Sequence, residues 1–582
     1  MNRQDYLLLT GFCVLLFGCS LVGNRPMTMH ESVLPQCTRE MHETGNWLVP
    51  SSGGRPWLHR PPLPHWILLI LTAPFDDINR PWLVRLGPLV MSTIVVLSLA
   101  WMAQRWYGRW IGLLSGFILA TSFQFTRYAW LAEEDTFLCA VITGCLALFV
   151  KMEMPAEGDV TTTRWTYFGW RSWTLLAFFT LYGLTNMAKG LVFGPLMTGV
   201  PMGLFLLWHF SWSRIRRYFW FWGWLATFIA GGLWPLLIYY WYPDVLEMWL
   251  YDYAGRLNGN YIGEPWWYYW SVIPWAIAPW TIFGLIGLWS TSKRLRQALA
   301  QPERFLWCWA IGTTIFFSIP DGKHHHYYVH CLPPWAVLSA LGLVQVRHWL
   351  QHWQPYGRIT WFTPALFAVP AMLAVWFLRH KIPGPEWTLP MLLILIPLVV
   401  WGIAWCLTDF VHWRAAALTF AGLLIAYAGG YLYTGRYLDH GIQDEAFLRS
   451  IPAHLDGQTP LYVNAELRCC LEVNRILFTQ NRATRTIHNL TFLLDEELTS
   501  PRIYLVTVAG DEPYLAKLGQ VQIITQSQKS RREISADDRL TLFALTFKPD
   551  LKRYPNHVYI AQQQIKHRQP GPYLGGRNPR EW

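Results

Sequence analysis

The sequence predicts a polytopic α-helical membrane protein that ends in a small α/β domain outside the membrane. Three observations predict it. Of the 582 residues only 14% are charged and 53% are hydrophobic, with a mean hydropathy of +0.19, whereas about 25% of a soluble chain is charged. The apolar residues arrive in blocks of about 17–22, the length that crosses a bilayer core. After residue 435 charges rise, tryptophans become few, and short β-type runs alternate with helical stretches. A cytosolic enzyme, a secreted disulfide scaffold and a disordered chain are excluded.

The apolar blocks place helices at 6–23, 83–103, 110–128, 135–151, 173–188, 191–209, 218–240, 269–290, 304–319, 331–346, 359–378, 388–408 and 415–434, about thirteen spans by length. The run ending Leu16-Phe17-Gly18-Cys19 is faintly like a lipoprotein signal peptide, but Phe17 is bulky for that position and many spans follow, so it reads as a first transmembrane helix. The apolar piece at 63–75 is too short to span and begins in prolines. It reads as a re-entrant or surface-lying segment.

Lysine and arginine placement gives the orientation. With the N-terminus in the cytoplasm, Arg105, Arg109, the 151–171 connection, Arg214, Arg216, Arg217, Lys293, Arg294, Arg296, Arg347, Arg358 and Arg414 all fall on the cytoplasmic side, as the positive-inside rule requires. Counting 63–75 as a span would move most of them across. These loop clusters account for the net charge of +11, and a nucleic-acid surface, which needs a basic soluble face, is excluded. The ten cysteines include no CxxC spacing, and Cys13, Cys19, Cys139, Cys145, Cys331 and Cys406 lie in or beside apolar stretches, where free cysteine acts as a small hydrophobe.

The outer face collects the unusual polar residues: the first loop 24–82, the acids Glu133-Glu134-Asp135, Lys189, the 241–268 loop, the run Lys323-His324-His325-His326-Tyr327-Tyr328, and everything after about residue 435. Polar clusters at the mouths of helices indicate a site at the membrane surface rather than a pore. The chain is expected to divide into a transmembrane catalytic domain, 1–435, whose first loop carries juxtamembrane helices, and a soluble domain, 436–582. In the latter, strands are expected at Pro460-Leu461-Tyr462-Val463, Arg502-Ile503-Tyr504-Leu505-Val506 and Leu540-Thr541-Leu542-Phe543-Ala544-Leu545. The end, with Pro570-Gly571-Pro572 and Gly575-Gly576, reads as loose.

The first outer loop reads His30-Glu31, Arg39-Glu40-Met41, Gly45-Asn46-Trp47-Leu48-Val49-Pro50 and His59-Arg60-Pro61-Pro62-Leu63-Pro64-His65-Trp66. Further on come Met187-Ala188-Lys189-Gly190, Trp234-Pro235, Trp267-Tyr268-Tyr269, Pro279-Trp280 and Gly322-Lys323-His324-His325-His326-Tyr327. In this order the motifs resemble those of the bacterial GT-C membrane glycosyltransferases, the group of the aminoarabinose-to-lipid A transferases and, more distantly, the protein O-mannosyltransferases. Each motif is weak alone, and the ordered set is specific. The resemblance implies a GT-C fold and a polyprenyl-phosphate-linked sugar as donor. It implies a glycolipid, glycan or protein as acceptor, on the outer face of the bacterial inner membrane.

That reaction has physical needs. The donor phosphate is anchor and leaving group, so cations should converge on it. Arg60, Lys189, Arg256 and Lys323 are the candidates, with His326 and Tyr327, which stand where the family has His-Tyr. Lys189 is also readable as a lysine snorkelling to the interface. The acceptor proton needs a base or an orienting carboxylate. The family's Asp for this role is replaced by His30 beside Glu31, which leaves His30 or Glu31 as the group, or a non-catalytic member. The second acidic site offers Asp135 and then Glu134; its bland alternative is an acidic first turn of the next helix. Arg60 keeps the family's cation, whereas His59 replaces a glutamate. No cofactor is expected, and a divalent metal is compatible but not required. His59, His324 and His326 are the weak metal candidates, because at most two of three consecutive histidines share a face. The aromatic stretches Trp266-Trp267-Tyr268-Tyr269 and Trp47/Trp57 suit an interfacial belt, with sugar stacking as the alternative.

Walker, GxGxxG, HExxH and GxSxG motifs are absent from the sequence, which disfavours a nucleotide-driven pump. An oligosaccharide or polymer transferase on the same scaffold remains the main rival. A lipid-linked sugar transporter is disfavoured, since neither related halves nor midspan charge pairs are visible.

Overall fold

A computed structural model describes residues 1–351 and 413–553, apart from 23–24, 76–77, 156–166, 258–262, 298–299, 439–441, 466, 468–469, 481–483, 488–489, 496–497, 529–535 and 552. The spans expected at 359–378 and 388–408 and the loose end expected around 570–576 lie outside the described residues. The chain forms two compact units. One comprises Met1–Arg25, Leu58–Pro74 and Trp82–Gly435; the other comprises Pro26–Trp57, Phe75–Pro81 and Arg436–Trp582. The expected first loop, 24–82, therefore contributes to both.

In the first unit a helix occupies every expected apolar block among the described residues. Four helices are long and apolar enough to cross a membrane: Arg3–Val22, Pro81–Tyr107, Glu134–Glu153 and His325–Trp349. Two bent pairs raise this to six if each is one span. Phe221–Gly231 meets Leu233–Trp241 at 46°, and Tyr268–Ala276 meets Thr281–Ser292 at 114°. The sharper bend holds Pro279, which has no N–H to continue the helix. The piece expected to be re-entrant or surface-lying is a helix of ten residues, Leu63–Thr72, with buried Leu63, His65, Leu68 and Leu69.

The block expected as one helix at 110–128 is two, Arg109–Ala120 and Phe123–Ala129. The hydroxyls explain the break. Thr121 Oγ1 donates to the Phe117 carbonyl at 2.7 Å, Ser122 Oγ to Ile118 at 2.8 Å and Thr126 Oγ1 to Ala120 at 2.7 Å. The last two satisfy carbonyls at the end of the first helix with hydroxyls, while the Phe117 carbonyl also keeps the Thr121 backbone N–H at 3.0 Å. Elsewhere glycine permits close approach. A Cβ on Gly287 would lie 1.8 Å from the Leu338 carbonyl, and one on Gly342 would lie 1.9 Å from that of Phe283. Thr281–Ser292 and Leu332–Gln351 thus pack backbone to backbone, as small residues allow in membrane helices.

The Glu153 end of Glu134–Glu153 gathers the basic clusters. Arg109 forks onto Asp5 with two bonds of 2.7 Å. Arg105 Nε donates to the Met154 carbonyl at 3.0 Å. Glu153 pairs with Arg217 at 3.3 Å and accepts the Tyr218 hydroxyl at 2.7 Å.

The second unit holds a five-stranded sheet. In spatial order its strands are Arg485–Ile487, Leu461–Asn464, Arg502–Val508, Leu540–Phe547 and Gly519–Gln526; the first three are parallel and the last two pairings antiparallel. Both faces are covered. Ile451, Val463, Ile476 and Leu477 pack on one side, and Leu493, Leu515, Phe543 and Leu545 on the other. The three expected β-type runs lie on strands. Helix Val33–Thr44, from the first loop, joins this unit through Arg39, whose guanidinium donates to the carbonyls of Leu477 at 3.1 Å and Gln480 at 2.9 Å and to Asn79 Oδ1 at 2.9 Å. It closes the end of helix Cys470–Thr479. The neighbouring Glu40 carboxylate accepts the N–H groups of Gly53 and Gly54. These glycines turn the hairpin between Ser51–Ser52 and Arg55–Pro56 with φ of +64° and +78°, a two-residue turn that requires left-handed residues.

Candidate functional site

Helix Glu134–Glu153 begins with Glu133 extended at its N-cap and Glu134 and Asp135 in its first turn. Carboxylates there are stabilised by the helix dipole. Lys189 approaches from the loop between Trp173–Thr185 and Phe193–Trp208. Asn186 shapes that loop. Its Nδ2 donates to the Gly231 carbonyl at 2.7 Å and its Oδ1 accepts the Val192 N–H at 2.6 Å. Lys189 Nζ bonds Asp135 Oδ1, and the two residues are 4% and 7% exposed.

The third element of the site is the irregular segment before Leu63, which bends at His59, Arg60 and Pro62. Leu58 accepts the Trp249 indole N–H at 2.8 Å, His59 Nδ1 lies 3.8 Å from Asp252, and the Leu63 N–H donates to the Met187 carbonyl at 3.3 Å. Between these anchors Arg60 reaches both neighbouring elements. Its Nη1 donates to the Lys189 carbonyl at 3.0 Å, and its Nε lies 3.5 Å from Glu134. Burial works to lower the Arg60 pKa, and the carboxylates of Glu134 and, less strongly, Asp135 and Asp252 outweigh it and hold the guanidinium charged. The Tyr327 ring completes the group, its centroid 5.1 Å from Lys189 Nζ.

Residues far apart in sequence therefore alternate in charge at one place: Glu134, Arg60, Lys189 and Asp135, with Tyr327 against them. Burying such charges costs several kcal/mol per ion unless they are mutually paired. Two cations held by two acids form a preorganised receptor whose pairing can be exchanged for an anionic ligand.

The other expected residues fall elsewhere. Lys323 is buried and donates to the Glu264 carbonyl at 2.8 Å, beside a backbone bridge between Gly263 and Gly322. Burial pushes its ammonium below the ordinary range, against the pull of Asp321 and Glu264. His326 stacks at 5.0 Å on His324 and lies 4.5 Å from the Tyr327 ring, while His325 turns to Arg127. Arg256 lies on helix Val245–Leu257, one turn beyond Asp252, and its side chain is outside the described residues. His30 and Glu31 belong to the second unit. There His30 is exposed, and buried Glu31 exchanges bonds with Thr28, accepting its N–H at 3.3 Å and donating its own N–H to the hydroxyl at 3.0 Å. Among the described residues no three His, Cys, Asp or Glu side chains converge as metal ligands would. Asn186 and Asp252, which hold the segments carrying Lys189 and Arg60, carry no sequence signal of their own.

No protein-family model matches the chain. Among curated proteins it is 26% identical over 452 residues to the undecaprenyl phosphate-alpha-4-amino-4-deoxy-L-arabinose arabinosyl transferase of Pseudomonas paraeruginosa, spanning 73% of this chain and 74% of that one. It is 25% identical over 424 residues to transferase 2 of the same description from Pseudomonas fluorescens, spanning 70% of this chain and 69% of that one. Among solved structures, ArnT from Cupriavidus metallidurans bound to undecaprenyl phosphate superposes over 95% of this chain and 100% of its own, with a TM-score of 0.71 at 16% identity.

This chain has the ArnT fold. The largely helical fold implied by the ordered motifs is thus like that of ArnT. On the ArnT fold the family-like Arg39-Glu40-Met41 triplet of this chain is architectural, since Arg39 and Glu40 spend their hydrogen bonds inside the sheet-bearing unit.

Proposed function

We propose that the protein is a membrane glycosyltransferase that moves a sugar from a polyprenyl phosphate, such as undecaprenyl phosphate, to an acceptor on the outer face of the cytoplasmic membrane. The relatives' names and the ArnT fold support this reading, and the alternating cluster of Arg60, Glu134, Asp135, Lys189 and Tyr327 carries it. The finer topology belongs to the same proposal: about thirteen spans, N-terminus inside, the Glu134 end of the bundle and the sheet-bearing unit outside.

The donor's phosphodiester settles on Arg60 and Lys189, with the Tyr327 ring beside Lys189 and His326 next to it. An acceptor hydroxyl attacks the anomeric carbon. The new C–O bond forms as the bond to the phosphate oxygen breaks, and that electron pair leaves on the phosphate, where the two cations stabilise it. The acceptor's proton passes to a base, for which Asp135 and Glu134 are the candidates. A single displacement inverts the anomeric centre.

The test is transfer in membranes supplied with a lipid-linked sugar. Lys189→Ala and Asp135→Asn should each lower turnover by about 100-fold or more, as for a lost charge-stabilising contact. Near-normal turnover in both would remove the site assignment.

A further inference from the structure

The connection between helices Phe193–Trp208 and Phe221–Gly231 runs through two short turns, Trp212–Ile215 and Arg216–Tyr218. It lies at the Glu153 end of the bundle. The segment before helix Trp173–Thr185 is laced onto it. Arg171 donates to the carbonyls of Arg217 and, at 3.2 Å, Phe219, and the Trp220 indole N–H donates to the Gly169 carbonyl at 2.9 Å. Arg217 in turn donates to the Met152 carbonyl at 3.0 Å and pairs with Glu153 at 3.3 Å. These bonds gather Arg171, Arg216 and Arg217 on one platform, where Arg216 is exposed.

Like charges held together are costly. Burial and the charges of Arg216 and Arg217 hold the Arg171 guanidinium below its ordinary range. The stretches 151–172 and 209–220 carry six lysines and arginines against three acids. Pairing within them leaves a positive surplus, and an anion from outside would relieve the repulsion. Aromatic pairs flank the cluster. Trp170 meets Trp173 at 4.7 Å, next to Arg171 in the chain, and Trp212 meets Phe219 at 5.9 Å across the turns. Trp173 is 76% exposed and Trp212 62%, which suits the aromatic belt of a membrane–water interface. Arginines at that depth stand at the level of lipid phosphates.

We propose that Arg171, Arg216 and Arg217, set between Trp173 and Trp212, bind the phosphodiester headgroup of an anionic phospholipid in the cytoplasmic leaflet. The choice of leaflet rests on the proposed topology, and the affinity does not. The proposed transfer uses none of these residues.

The test uses the full chain in detergent, titrated with phosphatidylglycerol or phosphatidylcholine and read by native mass spectrometry. Wild type should prefer phosphatidylglycerol. Arg216→Gln should weaken that binding about fivefold, the share of one basic residue at a lipid surface, and adding Arg171→Gln should bring the loss to about 30-fold. Arg216→Lys should keep most of the affinity. In phosphatidylcholine nanodiscs Arg216→Gln should melt with wild type, and it should show less of the rise that added phosphatidylglycerol gives wild type. Lys293→Gln removes a charge from another loop of the same side and should leave the affinity within about twofold. Equal losses in Arg216→Gln and Lys293→Gln, or equal binding of the two lipids, overturn the site. So does full competition by millimolar inorganic phosphate, because the ligand is then a soluble anion. Selective phosphatidylglycerol binding together with labelling of Trp212→Cys from outside intact spheroplasts overturns the cytoplasmic leaflet, and the topology with it.

Discussion

Lys189 shares its ammonium between Asp135 and the Tyr327 ring while only 4% exposed. Breaking such a pair from one side strands a buried charge, which costs about 3–5 kcal/mol, whereas replacing both members with apolar groups of similar volume is often neutral. Stability and activity should therefore separate. Lys189→Met should lower the melting temperature clearly, and adding Asp135→Leu should restore most of it while transfer stays lost. A double variant that recovers activity would show the pair to be scaffold only. Arg60 presents a fork that a lysine cannot reproduce, so Arg60→Lys should keep the fold and lose about tenfold in donor KM. At this scale the sequence names the participants but not the partners. Lys189 and Asp135 stand out as charges among apolar blocks. That Arg60 would face Glu134, and Lys189 would face Asp135, depends on the register of three elements remote in sequence, which no local pattern encodes.

At the scale of the element, apolar length reads helices well and their interruptions poorly. The break at Thr121-Ser122 comes from hydroxyls that take over helix carbonyls, a competition invisible to hydropathy. The 114° bend before Thr281 is better marked, because Pro274 and Pro279 are in plain view. In the sheet-bearing unit the strongly apolar strands are legible, whereas Arg485–Ile487 is short and Gly519–Gln526 has no fully buried residue, so neither shows a long apolar run. Two substitutions test the packing. Gly287→Val should destabilise the helix pair by about 1–3 kcal/mol or more through overpacking, read as a lower melting temperature in detergent. Arg39→Met should cost about 3 kcal/mol, because buried carbonyls lose a charged donor, and limited proteolysis should then cut the 436–553 region faster. Unchanged melting or cleavage would contradict these assignments.

For the molecule as a whole, the charge pattern and the geometry concern the same two ends of one bundle. Asp5, Arg105, Arg109, Glu153 and Arg217 meet at the Glu153 end, and Arg60, Glu134, Asp135, Lys189 and Tyr327 at the other. The proposed topology puts the first of these on the cytoplasmic side, as the positive-inside rule expects. A cysteine in place of exposed Trp266 should then react with a membrane-impermeant thiol reagent in intact spheroplasts, and one in place of exposed Trp212 only after lysis. Labelling of both from one side would contradict the topology. The identity of the sugar and acceptor is not written in these patterns, since the pockets that choose them are assembled from loops. The most direct test of the central claim is mass spectrometry of polyprenyl-linked sugars and envelope glycans from cells with and without this protein. The account predicts that removal lets one polyprenyl-phosphate sugar accumulate while one envelope glycan loses that same sugar. Unchanged levels of both would contradict it.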